Sequence, residues 1–281
     1  MKSNNVVKSL AKSLVLLQSF SNDKLELGTT EIARKMGISK ATSHRILKTF
    51  REFGILEKDI NTGKYTIGLE LYYLGNLYLR KQDFIRISYP VVKTLNELSD
   101  ETVLILIFDR GNVVIVHKEE SRRDFRVTHN IGTILPAYSA ASGKAFLSEL
   151  TEEEIDNLYP GQNLNPITRK TIKSKAVLKQ QLEQIRKTGV SFARGECYEG
   201  TIGIASLLRD ATGRAIAAIS IMLQDFRINQ DTINRLSTLV RMGANLISLR
   251  LGYNNANNLV RDVQDIRSWW EQEQTMVNYL R

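Results

Sequence analysis

Apolar positions recur at helical spacing from Val6 to Phe20, placing Val7, Leu10, Leu14 and Leu17 on one face of a first helix. A second short helix follows from Thr30 to Met36, and Gly37 can take the left-handed turn that ends it. Ser39 is a good N-cap for a third helix. In that helix Ser43, Ile46, Leu47, Phe50 and Phe53 fall on one side, and Gly54 stops the run. The other side carries Lys40, Ala41, His44, Arg45, Lys48 and Arg51. Residues 55–59 and 64–67 then read as two short strands around the turn Ile60-Asn61-Thr62-Gly63, a hairpin with glycine at its bend.

Two short helices joined by a glycine turn, the second basic on its outer face, form a helix-turn-helix whose second helix is built for the major groove. A solvated basic helix face would look the same in isolation. The hairpin directly after it makes the unit a winged helix and favours DNA reading. The expected DNA contacts are Thr30, Ser39, Lys40, Ala41, Thr42, His44, Arg45, Lys48 and Arg51, with Lys58 and Lys64 of the wing on phosphates. The partner is double-stranded operator DNA.

Beyond the wing, Leu69 to Arg80 predicts a helix with Leu71, Leu74 and Leu77/Tyr78 as an apolar stripe, read as a dimerising linker. Asp83 to Leu98 is a further helix. Residues 103–108 and 113–117 are strands around the turn at residues 109–112, and Phe125 to Ile131 is another strand. Ser139 to Glu149 is a helix of small residues. Helices at 152–159 and 174–187, strands at 202–208 and 215–223, and a long helix from Gln230 to Leu251 complete the pattern. Hairpins mixed with helices predict an α+β fold with a mainly antiparallel sheet. After a polar hinge, Leu259, Val263, Ile266, Trp270, Val277 and Leu280 recur at helical steps, predicting an amphipathic C-terminal helix that docks on its own domain or on a partner subunit.

The 281 residues thus divide into a winged helix-turn-helix at 1–68, a linker at 69–82, a second domain at 83–253 and an extension at 254–281. The net charge of +9 is unevenly spread: residues 1–81 hold 14 Lys and Arg against 7 Asp and Glu, leaving only +2 for the rest. The basic excess therefore sits on the part expected to touch DNA. One cysteine, Cys197, excludes an internal disulfide framework and a zinc-finger cluster, and reads as a structural or surface thiol. No pair among the three histidines has metal-ligand spacing, so no metal or cofactor is expected. No apolar run approaches membrane-spanning length and no signal-peptide core opens the chain, which points to a cytoplasmic protein without membrane contact.

Four blocks in this order resemble the IclR family of bacterial transcription regulators. They are His44-Arg45-Ile46-Leu47; Tyr65-Thr66-Ile67-Gly68; Gly132-Thr133-Ile134-Leu135-Pro136 running into Ala141-Ser142-Gly143-Lys144-Ala145; and Gly189 through Glu196 with Gly200 to Ala205. The resemblance spans Val6 to Tyr253. It implies a GAF-like effector domain for a small molecule, often a carboxylic or aromatic one, and dimers or dimers of dimers on palindromic operators. It also implies a pocket lined by Gly132, Thr133, Leu135, Pro136 and Ala137, by an Asp and a Cys ten residues apart, and by a later strand. Here the Asp position is Ala193, the Cys position is Gly203, and the later strand offers Ser220 and Met222. These departures predict a roomier, more apolar pocket and a ligand larger or less polar than a two- or three-carbon acid, an aromatic or larger organic acid. Arg194 and Glu196 either charge that pocket or are simply solvated. Ser142-Gly143-Lys144 lacks the first glycine and the final Ser or Thr of a phosphate loop. The small-residue helix start there can face a ligand carboxylate instead.

The expected function is a ligand-responsive transcription regulator of a catabolic operon, with blocking polymerase and recruiting RNA polymerase both open. The alternatives are a constitutive architectural DNA binder, disfavoured by the large second domain, and a metabolite-processing enzyme, disfavoured because no nucleophile–base pair or metal triad is present.

Overall fold

The computed structural model describes residues 6–21, 24–80, 83–124, 126–254 and 260–279. It separates into two compact units, Met1–Asp83 and Phe84–Arg281.

The first unit comprises α1 (Lys8–Leu17), α2 (Thr29–Met36), α3 (Lys40–Glu52), β1 (Leu56–Lys58), β2 (Tyr65–Ile67) and α4 (Leu69–Arg80). Its core is Leu16, Leu27, Ile32, Leu47, Leu56 and Tyr65. Gly37 ends α2 in the left-handed conformation at φ 61°, and the Ser39 hydroxyl accepts from the Thr42 amide at 3.1 Å to start α3. The Ser43 hydroxyl donates to the Thr29 carbonyl at 3.2 Å and clamps the two helices together. In the wing, β1 and β2 pair antiparallel with Leu56 opposite Ile67. The Asp59 carboxylate accepts from the Asn61 and Thr62 amides, both at 2.7 Å, which shapes the turn.

Two helix faces differ from expectation. Val7, Leu10 and Leu14 are exposed, and α1 buries Leu16 instead. The run Leu14-Val15-Leu16-Leu17 is apolar all round, so periodicity alone could not select the inner face. Phe53 is 71% exposed because α3 ends at Glu52 and the chain leaves helical phase before Gly54. On α4, Leu69, Tyr72, Tyr73, Leu74 and Leu77 are exposed and Leu71 is half-buried, while the side chain of Tyr78 lies outside the described residues.

The second unit comprises α5 (Asp83–Ser99), β3 (Thr102–Asp109), β4 (Asn112–Glu119), β5 (Ile134–Pro136), α6 (Ala141–Leu147), α7 (Glu152–Leu158), α8 (Lys175–Thr188), β6 (Ser191–Arg194), β7 (Thr201–Arg209), β8 (Ala215–Gln224), α9 (Gln230–Arg250) and α10 (Val263–Tyr279). The six strands form one antiparallel sheet in the order β5-β4-β3-β8-β7-β6. A large core that includes residues of α5 and α9 packs with Ile105, Ile202, Ile204, Ile219 and Ile221. A second cluster joins Leu104, Leu106, Ile115, Leu135 and Ala218 to Phe146 of α6. The alternation along β3 between these two clusters is what a sheet covered on both faces requires.

The strand expected at residues 125–131 does not form over 126–130, and Phe125 lies outside the described residues. Pairing resumes only where Ile115 exchanges backbone hydrogen bonds with Gly132 and Thr133, at 2.7 and 3.1 Å. The C-terminal helix docks on its own unit: Ile266 is buried, Trp269 and Trp270 pack on the large core, and the Arg235 guanidinium lies 4.4 Å from the Trp270 ring centroid. Leu259 and Leu280 lie outside the described residues, as does the side chain of Val277.

The small residues at the start of α6 have a steric cause. A Cβ on Gly143 would stand 2.2 Å from the Ala137 carbonyl oxygen and 2.3 Å from its Cα. Both opposing atoms are backbone and cannot rotate away. Gly143→Ala should therefore destabilise the second unit by about 3 kcal/mol, read as a lower denaturation midpoint; an unchanged midpoint would show that this contact is slack.

Candidate functional site

The first unit presents a basic surface. Lys40, Ala41, Thr42, His44, Arg45, Lys48 and Arg51 are all exposed on α3, as are Ser39 at its N-cap and Thr30 at the start of α2. Among the described residues no ion pair restrains Arg45, while Lys48 has only a loose i,i+4 contact to Glu52 at 3.8 Å, worth little in water. On the wing, Lys58 lies 5.6 Å from the centroid of the Tyr65 ring and Lys64 lies 3.6 Å from Glu26. A depression of about 420 Å³ between α1 and α3 is bordered by Arg45 and Thr42 and also by Lys8 and Lys12. Sequence reasoning passed over those two lysines, although their i,i+4 spacing places them on one helix face.

The second unit holds a cavity between α6 and the sheet. Its walls are Leu104 and Leu106 from β3, Ala193 from β6, Gly203 from β7, Ser220 and Met222 from β8, Ser139 to Ser142, Leu135, His129, and Glu196 to Tyr198 with Thr201. About 390 Å³ of it is free of atoms, yet the centre of a water-sized sphere can move through only about 20 Å³. That is little more than one water needs. A Cβ on Gly203 would meet the Met222 sulfur at 3.1 Å and the Ala141 Cβ at 3.3 Å.

Of the residues expected here, Leu135, Ala193, Glu196, Gly203, Ser220 and Met222 line the cavity. Gly132, Thr133, Pro136 and Ala137 do not, because the first two approach β4 and Ala137 is packed under Gly143. Arg194 is exposed and also off the walls. The cavity is apolar as expected but narrow, not roomy: Met222 occupies space beside Gly203. Sequence reasoning missed His129, Tyr198 and Thr201, and took Cys197 for a structural or surface thiol where it is a half-buried wall residue. Nothing local marks these; only the fold gathers them.

Glu196 is neither solvated nor free. Its Oε1 accepts from Lys144 Nζ at 2.7 Å and from the Arg194 amide at 3.3 Å, and Lys144 is wholly buried. Lys144 also donates to Gln181 Oε1 at 2.9 Å. Burial pulls the Lys144 ammonium below its ordinary value, and Glu196 pulls it back. Burial pushes the Cys197 thiol up, opposed by a hydrogen bond with Ser139. His129 is held below its ordinary value, first by burial and then by Lys118. Among the described residues no group of three or more His, Cys, Asp or Glu could hold a metal, and no helix is long and apolar enough to cross a membrane.

Comparison with known proteins decides the family. Residues 9–59 match the IclR helix-turn-helix domain, and residues 76–249 match the C-terminal domain of bacterial transcriptional regulator IclR. The chain belongs to the IclR family. It is 30% identical over 248 residues to the acetate operon repressor of Salmonella typhimurium, covering 88% of this chain and 90% of that protein. It is 29% identical over 254 residues to the transcriptional regulator KdgR of Escherichia coli, covering 90% and 96%. The Thermotoga maritima IclR structure superposes with a TM-score of 0.68 at 25% identity, over 88% of this chain and all of that one. An IclR homologue from Microbacterium hydrocarbonoxydans, solved with 4-hydroxybenzoate, shares the fold at a TM-score of 0.75 and 21% identity, over 86% and 98%. As an IclR-family protein the chain is a DNA-binding transcriptional regulator and not an enzyme.

Two outcomes follow for this IclR-family chain. Arg45→Ala should weaken binding to the cognate operator by about 1–3 kcal/mol and relax preference at one base position, whereas Lys64→Ala should weaken all sequences alike and flatten the salt dependence. Anisotropy titrations across salt and single-base operator variants separate the two; an Arg45→Ala protein with unchanged affinity and specificity contradicts the groove assignment. The second concerns pH. His129 folds with its pKa below the ordinary 6.5, so the unfolded chain binds more protons in acid and stability is lost as pH falls through 6.5. Denaturation midpoints should drop from pH 7 to pH 5, and less steeply in His129→Phe; identical slopes would remove His129 from the account.

Proposed function

We propose that the protein is a cytoplasmic repressor that binds a two-fold operator as a homodimer or dimer of dimers and changes its grip on DNA when a small organic effector enters the cavity of the second unit. The observation that carries this reading is the division of labour between units. One bears an exposed basic recognition helix, and the other a narrow, mostly apolar cavity that no known step of DNA binding needs. A constitutive architectural binder has no use for such a cavity. Repression, with no contact to RNA polymerase required, follows the repressors among the relatives.

Dimerisation draws support from the apolar side chains left in water on the first unit. Leu10 and Leu14 on α1, and Tyr72, Tyr73 and Leu77 on α4, are each about half exposed or more. A winged helix makes few base contacts alone, so a second copy on an inverted half-site supplies the rest.

The effector is larger or less polar than a two- or three-carbon acid, because Ala193, Gly203 and Met222 stand where polar groups would hold such an acid. An aromatic molecule fits the apolar walls, and the Microbacterium homologue was solved with one. The organic-acid half of the expectation draws no support from the walls: among the described residues lining the cavity there is no Lys or Arg. Because the cavity is narrow, any effector of six or more carbons must widen it, and that gives the ligand a preferred conformation to select.

Ala193→Asp tests the site. It places a carboxylate against an apolar cavity, where burial without a partner is costly. Calorimetry should show effector affinity falling by at least about tenfold, a change of ~1.4 kcal/mol, while the unliganded variant still binds operator. Unchanged effector affinity would place the effector elsewhere.

A further inference from the structure

Resting on the effector-cavity reading above, we propose that the cavity selects an uncharged, hydrogen-bond-donating molecule, such as a phenol, alcohol or amide, whose donor meets Glu196 Oε2 and whose polar group also pairs with His129 Nε2. Both residues are more than nine-tenths buried and both line the cavity. Glu196 spends Oε1 on Lys144 and on the Arg194 amide, and its Oε2 is buried with no hydrogen-bond partner. His129 Nε2 is likewise buried and unpartnered. Buried polar atoms in folded proteins are nearly always paired, so two unpaired ones on the walls of one cavity mark what its occupant must supply.

Two of the neighbouring hydroxyls are already committed. The Ser139 hydroxyl already donates to the Pro136 carbonyl at 2.8 Å, and the Thr201 hydroxyl to the Tyr198 carbonyl at 2.8 Å. A carboxylate oxygen only accepts, so the group that satisfies Oε2 must be a donor. Charge narrows the class further. Lys144 already neutralises Glu196, and a ligand carboxylate would face Glu196 with no Lys or Arg on the walls. A ligand ammonium would add a third charge to a balanced buried pair. A neutral donor does neither. Apolar walls at Leu104, Leu106, Leu135 and Met222 then require the remainder of the molecule to be hydrocarbon.

The test uses three sets of probes of similar size on the full chain, by calorimetry and thermal shift. Phenol, benzyl alcohol and benzamide are neutral donors; toluene and anisole carry no donor; benzoate and phenylacetate are carboxylates. Neutral donors should bind most tightly, and His129→Phe and Glu196→Gln should each weaken them by at least about tenfold while toluene is unaffected. Glu196→Gln disturbs the partner of Lys144, so if it fails to fold, His129→Phe, which keeps a ring against Tyr198, carries the test. Gly203→Val fills the cavity and should abolish binding of every probe. Tighter binding of the carboxylates, equal binding of donors and donor-free probes, or donor affinity unmoved by His129→Phe would overturn the proposal. If Gly203→Val still removes binding in those cases, the cavity remains the effector site. Binding that survives Gly203→Val, or no binding by any probe to the wild type, overturns the cavity reading and this proposal together.

Discussion

The ion pair between Lys144 and Glu196 is the constraint on which the second unit is arranged. It joins residues 52 positions apart, Lys144 on α6 and Glu196 in the loop between β6 and β7, and Gln181 of α8 accepts a second hydrogen bond from the cation. With Lys144 fully buried, neither charge can fall back on water. Such a pair adds little net stability over an apolar substitute, but removing one partner strands the other and is costly. Its effect is positional. It fixes α6 against the sheet, where Gly143 presses on Ala137, and it turns Glu196 toward the cavity with one oxygen still to be paired.

The same arrangement sets what the cavity presents to a ligand. Ala193 and Gly203 give the strands small, apolar walls here, and the Met222 sulfur stands close beside Gly203. The loops add the buried polar groups His129 and Glu196 to the strand hydroxyls of Thr201 and Ser220. A cavity closed to little more than one water resists entry until the walls part. A binding free energy spent on parting them is what can be communicated to a DNA-binding surface, provided the effector prefers one of the two conformations.

Much of this was legible from local sequence. Gly37 and Ser39 specify their turn by backbone conformation and capping, so the helix-turn-helix could be read residue by residue, as could the wing from Gly63 and the strands beside it. The inner face of α1 was not legible, because residues 14–17 are apolar on every side and only the packing of Leu16 against Leu27 and Ile32 decides between them. Residues 126–130 have strand-like composition but meet no ladder. In the site, Lys144 reads locally as one basic residue of a small helix. Its burial depends on Glu196, and no spacing rule links the two. His129, Tyr198 and Thr201 reach the cavity through loop and strand-end geometry that periodicity does not encode.

A double-mutant cycle across Lys144 and Glu196 tests this account most directly. Denaturant unfolding of Lys144→Met, Glu196→Leu and the double variant gives the coupling between the two side chains. Each single variant should lose about 3–5 kcal/mol, and the double variant should regain most of that loss, since an apolar pair leaves no stranded charge. Losses that simply add in the double variant would contradict the account, showing that the two residues do not hold α6 and the cavity wall as one unit.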